Sequence, residues 1–367
     1  MNRREFLRYT GLCSISLVLG NSIDSPEVSA EPIKAGAGFE NIRIIDAHAH
    51  PNRLIPPGKT RAWLDESTTL QKIKALGMVT SSFSAVGDQV FLNRGRIQEN
   101  EFNNTKSQLE WWLNGIIKTG QARLVLKASD IPERSAPNQS TGAILSIEGG
   151  DPLEGKPDRV NALYEIGVRM ITLIHFRNNE LGDVMKPWRN VNPGPRNQGL
   201  TPAGRKIIER MQELGMVVDV AHAHMNTLKQ IVEVSSKPLV DSHTSPCSFK
   251  DISKCGRLRT WEEMEWVAKT GGIICTWPFA YRRESVSRMT FQDWAREILE
   301  MKRRLGMDHV ALGTDGGGHL SRLIEGYKDV RDLVHLMKAM EEIGFSRDEI
   351  AAYMGGNFHR VLKSCIG

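Results

Sequence analysis

The sequence lacks several things whose absence narrows its class. It has little charge of one sign: 48 basic against 43 acidic residues leave +5 over 367 residues. No lysine- and arginine-rich patch with interleaved aromatics stands out, so nucleic acid is not an expected partner. Its 33 glycines and 16 prolines fall well short of a fibrous composition. No internal repeat is visible, and no GxGxxG follows the first apolar run, which argues against a dinucleotide-binding sheet. What is present, 40% hydrophobic and 25% charged residues, is ordinary for a globular protein. At about 150 residues per domain the length allows two domains, although barrels often exceed that size as one.

The first thirty residues differ from the rest. Arg3-Arg4-Glu5-Phe6-Leu7-Arg8 precedes a mostly uncharged stretch, Tyr9 to Gly20. Twelve residues are too few for a spanning helix, which needs about 20, but they suit the apolar segment of a signal peptide. Val28-Ser29-Ala30 offers the small residues a leader peptidase accepts. The Arg-Arg-x-Phe-Leu core resembles twin-arginine leaders, so residues 1–30 are expected to engage the twin-arginine translocation machinery. The mature protein is then periplasmic or otherwise extracytoplasmic, with no stable membrane anchor. Leu12 before Cys13 disfavours a lipoprotein. Cleavage after Ala30 leaves Cys247, Cys255, Cys275 and Cys365, and in an oxidising compartment Cys247 and Cys255, eight apart in a polar loop, are the expected pair.

Residues 31–41 form a short N-terminal segment. From Ile42 to the end, short apolar runs alternate with helical patterns. The runs are Ile42–Ile45, Val79–Val86, Ala143–Ile147, Val168–Ile174, Met216–Ala221, Pro238–Val240, Gly272–Thr276 and Val310–Gly313. Their near-continuous β-branched character fits strands buried on both faces of a parallel sheet. Thr201-Pro202 places an N-cap before a proline that opens a helix to about Leu214. Thr260 with Glu263 is a capping box for a helix to about Thr270. Leu109–Lys118, Thr227–Val234, Phe291–Leu305 and Asp329–Ile343 also read as amphipathic helices. Eight such units predict an α/β fold, a (β/α)8 TIM-type barrel in a single domain over 42–367, with a doubly wound open sheet as the alternative. The Pro- and Gly-rich stretch 182–199 reads as a loop over the site.

Polar residues fall at the ends of these runs. Asp46-Ala-His48-Ala-His50 closes the first, Glu148 the third, His175 the fourth, Asp219 to His222 the fifth, Asp241-Ser-His243 the sixth and Asp315 the eighth. In a parallel barrel all these ends meet at one face, where active sites are built. His48 and His50, at i and i+2, point to one side of an extended strand. With Glu148, His222 and His243 they make a nitrogen-and-carboxylate set suited to zinc. Five ligands are too many for one tetrahedral ion. A bridging Glu148 resolves the count: His48, His50 and Glu148 hold one ion, and Glu148, His222 and His243 the other, with a hydroxide between them as nucleophile. Any single strand-end histidine is more often structural; five ligand-type residues at neighbouring ends reverse that. Outside the set, His224 could compete as a ligand, His319 could line the pocket, and Asp241 could support a ligand or be a satisfied core carboxylate. His309, His335 and His359 read as structural.

The chain resembles the renal (membrane) dipeptidase family of zinc metallopeptidases, within the amidohydrolase-like barrels. The motifs are Asp-Ala-His48-Ala-His50-Pro, Ile-Glu148-Gly-Gly and Gly-Val-Arg-Met-Ile-Thr-Leu-Ile-His175, with Asn178 and Asp183 following. They continue with Gly199-Leu-Thr-Pro-Ala-Gly204, Asp219-Val-Ala-His222, Pro238-Leu-Val-Asp-Ser-His243, Gly-Thr-Asp315 and Gly355-Gly-Asn357-Phe-His-Arg360. The resemblance implies two zinc ions bridged by Glu148, other divalent metals being open, and hydrolysis of dipeptides. It implies that His175 binds the substrate and polarises the scissile carbonyl, and that Asp315 shuttles the proton to the leaving amine. Arg257 aligns with the arginine that holds the substrate carboxylate, and a homodimer stays open.

The departures concern the pocket. The family has His-x-Asp where this chain has His48-Ala-His50, and Glu-Gly-Gly-His where it has Glu148-Gly-Gly-Asp151. Its Ser-Asp-Phe-Asp-Gly segment is here Thr-Asp315-Gly-Gly-Gly, which removes a bulky side chain and a second acid. Trp277-Pro-Phe-Ala-Tyr281 also differs. The expectation is therefore an exported binuclear zinc dipeptidase. The alternative is a metal hydrolase acting on another small amide, a lactone or a modified amino acid.

Overall fold

The computed structural model describes residue 39 and residues 41–51, 67–88, 100–136, 139–188, 191–247, 249, 251–282 and 287–367. The expected leader and nearly all of the segment 31–41 lie outside them. Eight parallel strands form the central ring: β1 (Ile45–Asp46), β2 (Thr80–Val86), β3 (Thr141–Glu148), β4 (Val168–Thr172), β5 (Val217–Asp219), β6 (Val240–Thr244), β7 (Ile273–Thr276) and β8 (Val310–Leu312). Each pairs in parallel with the next, β1 through β8. The last meets the first through the Ala49–Gly316 bridge and backbone bonds from Ala47 N to Leu312 O and from Asp315 N to His48 O. This is the (β/α)8 barrel, with a short extra strand, Ala122–Leu124, beside β3.

The helices start where their caps dictate. Thr201 accepts from Gly204 N ahead of Pro202–Glu213, and Thr260 and Glu263 make a reciprocal box ahead of Trp261–Lys269. Phe291–Leu305 runs as read from the sequence. Several expected bounds shift: the first strand is Ile45–Asp46 rather than Ile42–Ile45, and the helix read as Asp329–Ile343 opens with a 3-10 turn, Val330–Asp332, before Leu333–Glu342. The helix read as Leu109–Lys118 begins earlier, at Glu101, and passes at Trp112 into a π-turn, Leu113–Ile117. The sixth strand is Val240–Thr244 rather than Pro238–Val240. Its body is polar because Ser242 joins the interior layer beneath the site and Asp241, on the opposite face, is matched by the buried Arg259.

Inside the ring the layers differ in chemistry. At the N-terminal end Ile45, Ile144, Met170, Val217, Val240, Ile273 and Ala311 meet Phe358, Val361 and Leu362 of the terminal helix, Asn357–Ile366. That helix plugs the barrel. Arg360 pins it by donating to Gly271 O and Asp308 O, and Asn357 by donating to Met307 O and Val310 O. Above this apolar plug Ser84, Ser146, Thr172, Asp219 and Ser242 form a hydrogen-bonded polar layer. The ligand-type residues stand on it, at the end left open.

Candidate metal centre

Glu148, the last residue of β3, is the hub of the open end. Its Oε1 lies 3.6 Å from His48 Nε2, 3.4 Å from His175 Nε2 and 3.3 Å from both His222 Nε2 and His243 Nε2. Its Oε2 is 3.5 Å from His50 Nε2. Asp315 Oδ1 is 3.4 Å from His50 Nε2 and 3.9 Å from His48 Nε2. All seven side chains are buried. Three groupings have donor atoms within 4.8 Å of one another: His48, His50 and Glu148; Glu148, His222 and His243; and His48, His243 and Asp315. The first two coincide with the two ligand sets read from the sequence.

Hydrogen bonds from behind aim the rings. A carbonyl can only accept, so His50 Nδ1 carries a proton donated to Ser84 O at 2.7 Å, leaving Nε2 to face inward. His243 Nδ1 is 2.9 Å from Ser242 Oγ, which itself donates to Asp219 Oδ2 at 2.6 Å. His48 Nε2 is buried with no hydrogen-bond partner. An orphaned buried nitrogen among converging imidazoles and a carboxylate is costly unless a cation takes it, so the donor set fits divalent metal. His222 is held differently: Arg257 Nε donates to its Nδ1 at 3.1 Å, and its Nε2 is 2.8 Å from His243 Nε2.

The electrostatics follow from this crowding. Burial alone would raise the Glu148 carboxyl, but the imidazoles of His175 and His48 and hydrogen bonds from His222 and His243 hold it well below the usual carboxylate range. Burial opposes a charge on His50 too, yet the Asp315 and Glu148 carboxylates push it up to about 9. Burial and then the Arg257 charge drive His222 well down.

Backbone strain collects at the same place. His222 and Asp315 take left-handed φ values of 66° and 50°, a conformation that costs about 1–3 kcal/mol for a residue with a side chain. Asp315 is held there by its own N–H to His48 O at 2.8 Å and by Gly318 N to Asp315 O at 3.0 Å. A side chain at Gly317 (φ 83°) would meet His50 O at 2.5 Å, so this turn over the site requires glycine.

The remaining residues singled out in the sequence divide. Arg257 lines the cavity and donates through Nη2 to His175 O at 3.0 Å; its Nη1 is buried with no partner. His319 lines the same cavity. His224 caps the helix Met225–Val234 through Nδ1, away from the ligand groupings. Asp241 pairs with Arg259 at 2.6 Å through Oδ2 and is a core carboxylate paired to arginine, while its Oδ1 is buried without a partner. The loop 182–199 reaches the cavity with Lys186 and Trp188 and is anchored by Asp183, which accepts from Asn197 N and Gly199 N.

The sequence reading missed Asp88, which accepts from His175 Nδ1 at 3.2 Å and from Phe176 N at 2.9 Å. It stands two residues beyond β2, past Gly87, where position after a strand is the one signal the sequence offered. It also missed Ser84 and Ser242, whose small hydroxyls carry no such signal.

A parallel barrel that gathers histidines and carboxylates at its open end is a candidate metal-binding barrel. The chain matches the membrane dipeptidase family (peptidase family M19) over residues 39–365 and belongs to it. It is similar to the dipeptidase aclJ of Aspergillus oryzae, 29% identical over 224 residues, which cover 60% of this chain and 50% of that protein. It therefore spans about half the length of the curated relatives it matches. Among solved structures it shares its fold with the probable dipeptidase PvdM from Pseudomonas aeruginosa at TM-score 0.73 and 19% identity, covering 89% of this chain and 96% of that one. It is also similar to a metallo peptidase from Rhodobacter sphaeroides liganded with a phosphinate mimic of the dipeptide L-Ala-D-Ala. There the TM-score is 0.69 at 18% identity, over 89% of this chain and 99% of that one.

Proposed function

We propose that this protein is a binuclear zinc dipeptidase. The observation that carries the reading is Glu148 at the centre of five inward-facing imidazoles, four of which complete the two ligand groupings. His48, His50 and Glu148 would hold one ion, and Glu148, His222 and His243 the other. Two such ions supply an activated water and polarise a carbonyl.

The chain's own residues divide the other tasks. His175, whose Nδ1 is backed by Asp88 and whose Nε2 lies 3.4 Å from Glu148 Oε1, faces the place of a substrate carbonyl oxygen and, with a second ring proton on Nε2, donates to it there. Asp315, at the edge of the cluster and lining the cavity, accepts the proton from the attacking water and passes it to the leaving amine. Arg257 binds the substrate carboxylate. Nε2 of His222 can ligate only if Nδ1 carries the ring proton, and an Nδ1–H no longer accepts from Arg257. The guanidinium, already with a partnerless Nη1, is then available to an anion.

Purified protein should carry about two zinc ions per chain and release amino acids from a dipeptide panel. Full occupancy with no release from any dipeptide rejects the peptidase reading. Arg257→Ala should raise KM about ten- to hundredfold for dipeptides and far less for an amide without a free carboxylate. Equal effects on both would move the reading to another small amide or a lactone.

Export is part of the proposal. The Cys247–Cys255 disulfide supports an oxidising compartment, and the Arg3-Arg4 pair supports twin-arginine transport. Replacing Arg3-Arg4 with two lysines should block export; normal secretion of that variant rejects this route.

A further inference from the structure

The cavity over the cluster measures about 550 Å³, within the range of small-molecule sites. Two aromatic walls rise from it. Trp277 leans on His243 with ring centroids 5.3 Å apart and Phe279 on Trp277 at 5.0 Å, with Leu258 and Leu320 packed on the same side. On the other side Phe176 stacks on His175 at 3.5 Å and Trp188 on Phe176 at 5.0 Å. His175 and His243 both approach Glu148 Oε1, so both aromatic groups begin at rings that touch one carboxylate.

Three further observations bear on what fits between them. Gly317 and Gly318 line the cavity with backbone alone, on the same lining as Asp315, Trp277 and Leu320. Trp188 is 41% exposed at the lip of the cavity, an indole that an apolar side chain can meet. The carboxylates of the lining, Glu148 and Asp315, belong to the cluster on the floor, and Lys186 is an exposed cation on the rim.

Resting on the dipeptidase reading, we infer that the preferred substrates are dipeptides with large apolar or aromatic side chains at both positions. A peptide whose amide lies over Glu148 sends one side chain toward Trp277 and Phe279 and the other toward Phe176 and Trp188. Each large side chain removed from water gains area against a ring, whereas alanine reaches neither wall.

The test is kcat/KM on zinc-loaded protein for Leu-Phe, Phe-Leu, Ala-Ala and Ala-Glu. The bulky pair should exceed Ala-Ala by about ten- to hundredfold, mainly through KM. Trp277→Ala and Trp188→Ala should each cut that excess several-fold at unchanged zinc content. Trp188 is exposed, so its variant keeps the comparison available if the Trp277 variant does not fold. Ala-Ala within threefold of the bulky pair overturns the inference and leaves the dipeptidase reading standing, as does an unchanged excess in the Trp188 variant. Preference for Ala-Glu overturns it in favour of Lys186 as the selecting group. No turnover of any dipeptide at full occupancy removes both.

Discussion

Asp88 and His175, 87 residues apart, meet at 3.2 Å, and the carboxylate also accepts the N–H of Phe176 at 2.9 Å. Two bonds to one carboxylate fix both the position of the imidazole and which of its nitrogens faces the cluster. Asp88→Asn keeps the size but not the charge, and its amide can donate toward Nδ1. We expect kcat to fall about ten- to hundredfold at unchanged zinc content, as for other groups that orient a site residue from behind. Steady-state kinetics beside metal analysis decides it; a kcat within twofold of the parent would show that Phe176 alone holds the ring.

Proton and metal compete at His50. In the metal-free protein its pKa rises from 6.5 to about 9, against the pull of burial, because Asp315 and Glu148 face it; His243 is also raised. A folded-state pKa above the unfolded value adds stability that is complete below about pH 6.5 and lost as pH climbs toward 9. The Tm of the metal-free protein should therefore drop across pH 6.5–9. Zinc affinity should rise across the same window, with protons released on binding. Calorimetric titration in buffers of different ionisation enthalpy measures that release, and none at pH 7 contradicts the prediction.

The Cys247–Cys255 disulfide closes the loop that ends at Arg257 and packs against Leu258 and Trp277. Replacing both cysteines by serine removes a short-loop crosslink worth about 2–3 kcal/mol. Beyond the lower Tm, we expect KM for dipeptides to rise more than kcat falls, because the loosened segment carries Arg257, the guanidinium proposed to bind the substrate carboxylate. A fall in kcat alone would place the disulfide's influence on the cluster instead.

Arg259 is a structural keystone two residues further on. Fully buried, it donates to Asp241, Glu263, Val220 O and Ala223 O. Arg259→Met would strand the two carboxylates and should destabilise the fold by about 3–5 kcal/mol. Denaturant unfolding of the zinc-free protein isolates this loss from any change in metal binding.

Most of the barrel was legible because a strand buried on both faces writes a continuous apolar run, as at Ala143–Ile147 and Val168–Thr172. The sixth strand reads too early in the sequence, as Pro238–Val240, because Asp241, Ser242 and His243 are buried polar residues and leave no apolar trace. The same rule decided the cluster. His48, His50, Glu148, His222 and His243 stood out as chemistry-bearing residues at strand ends. Asp88 is separated from its strand by Gly87 and looked like an ordinary turn. Arg259 resembled any basic residue ahead of a helix, since its four acceptors come together only in three dimensions.

The donor atoms gathered at Glu148 are scattered from residue 48 to residue 243, across β1, β3, β5 and β6. No local segment can assemble either grouping by itself. Bound metal would thus act as a seal on the finished ring, and its escape during gradual denaturation would date the first parting of those strands. A chelator-accessible ion would then report the barrel's integrity earlier than any loss of helix signal.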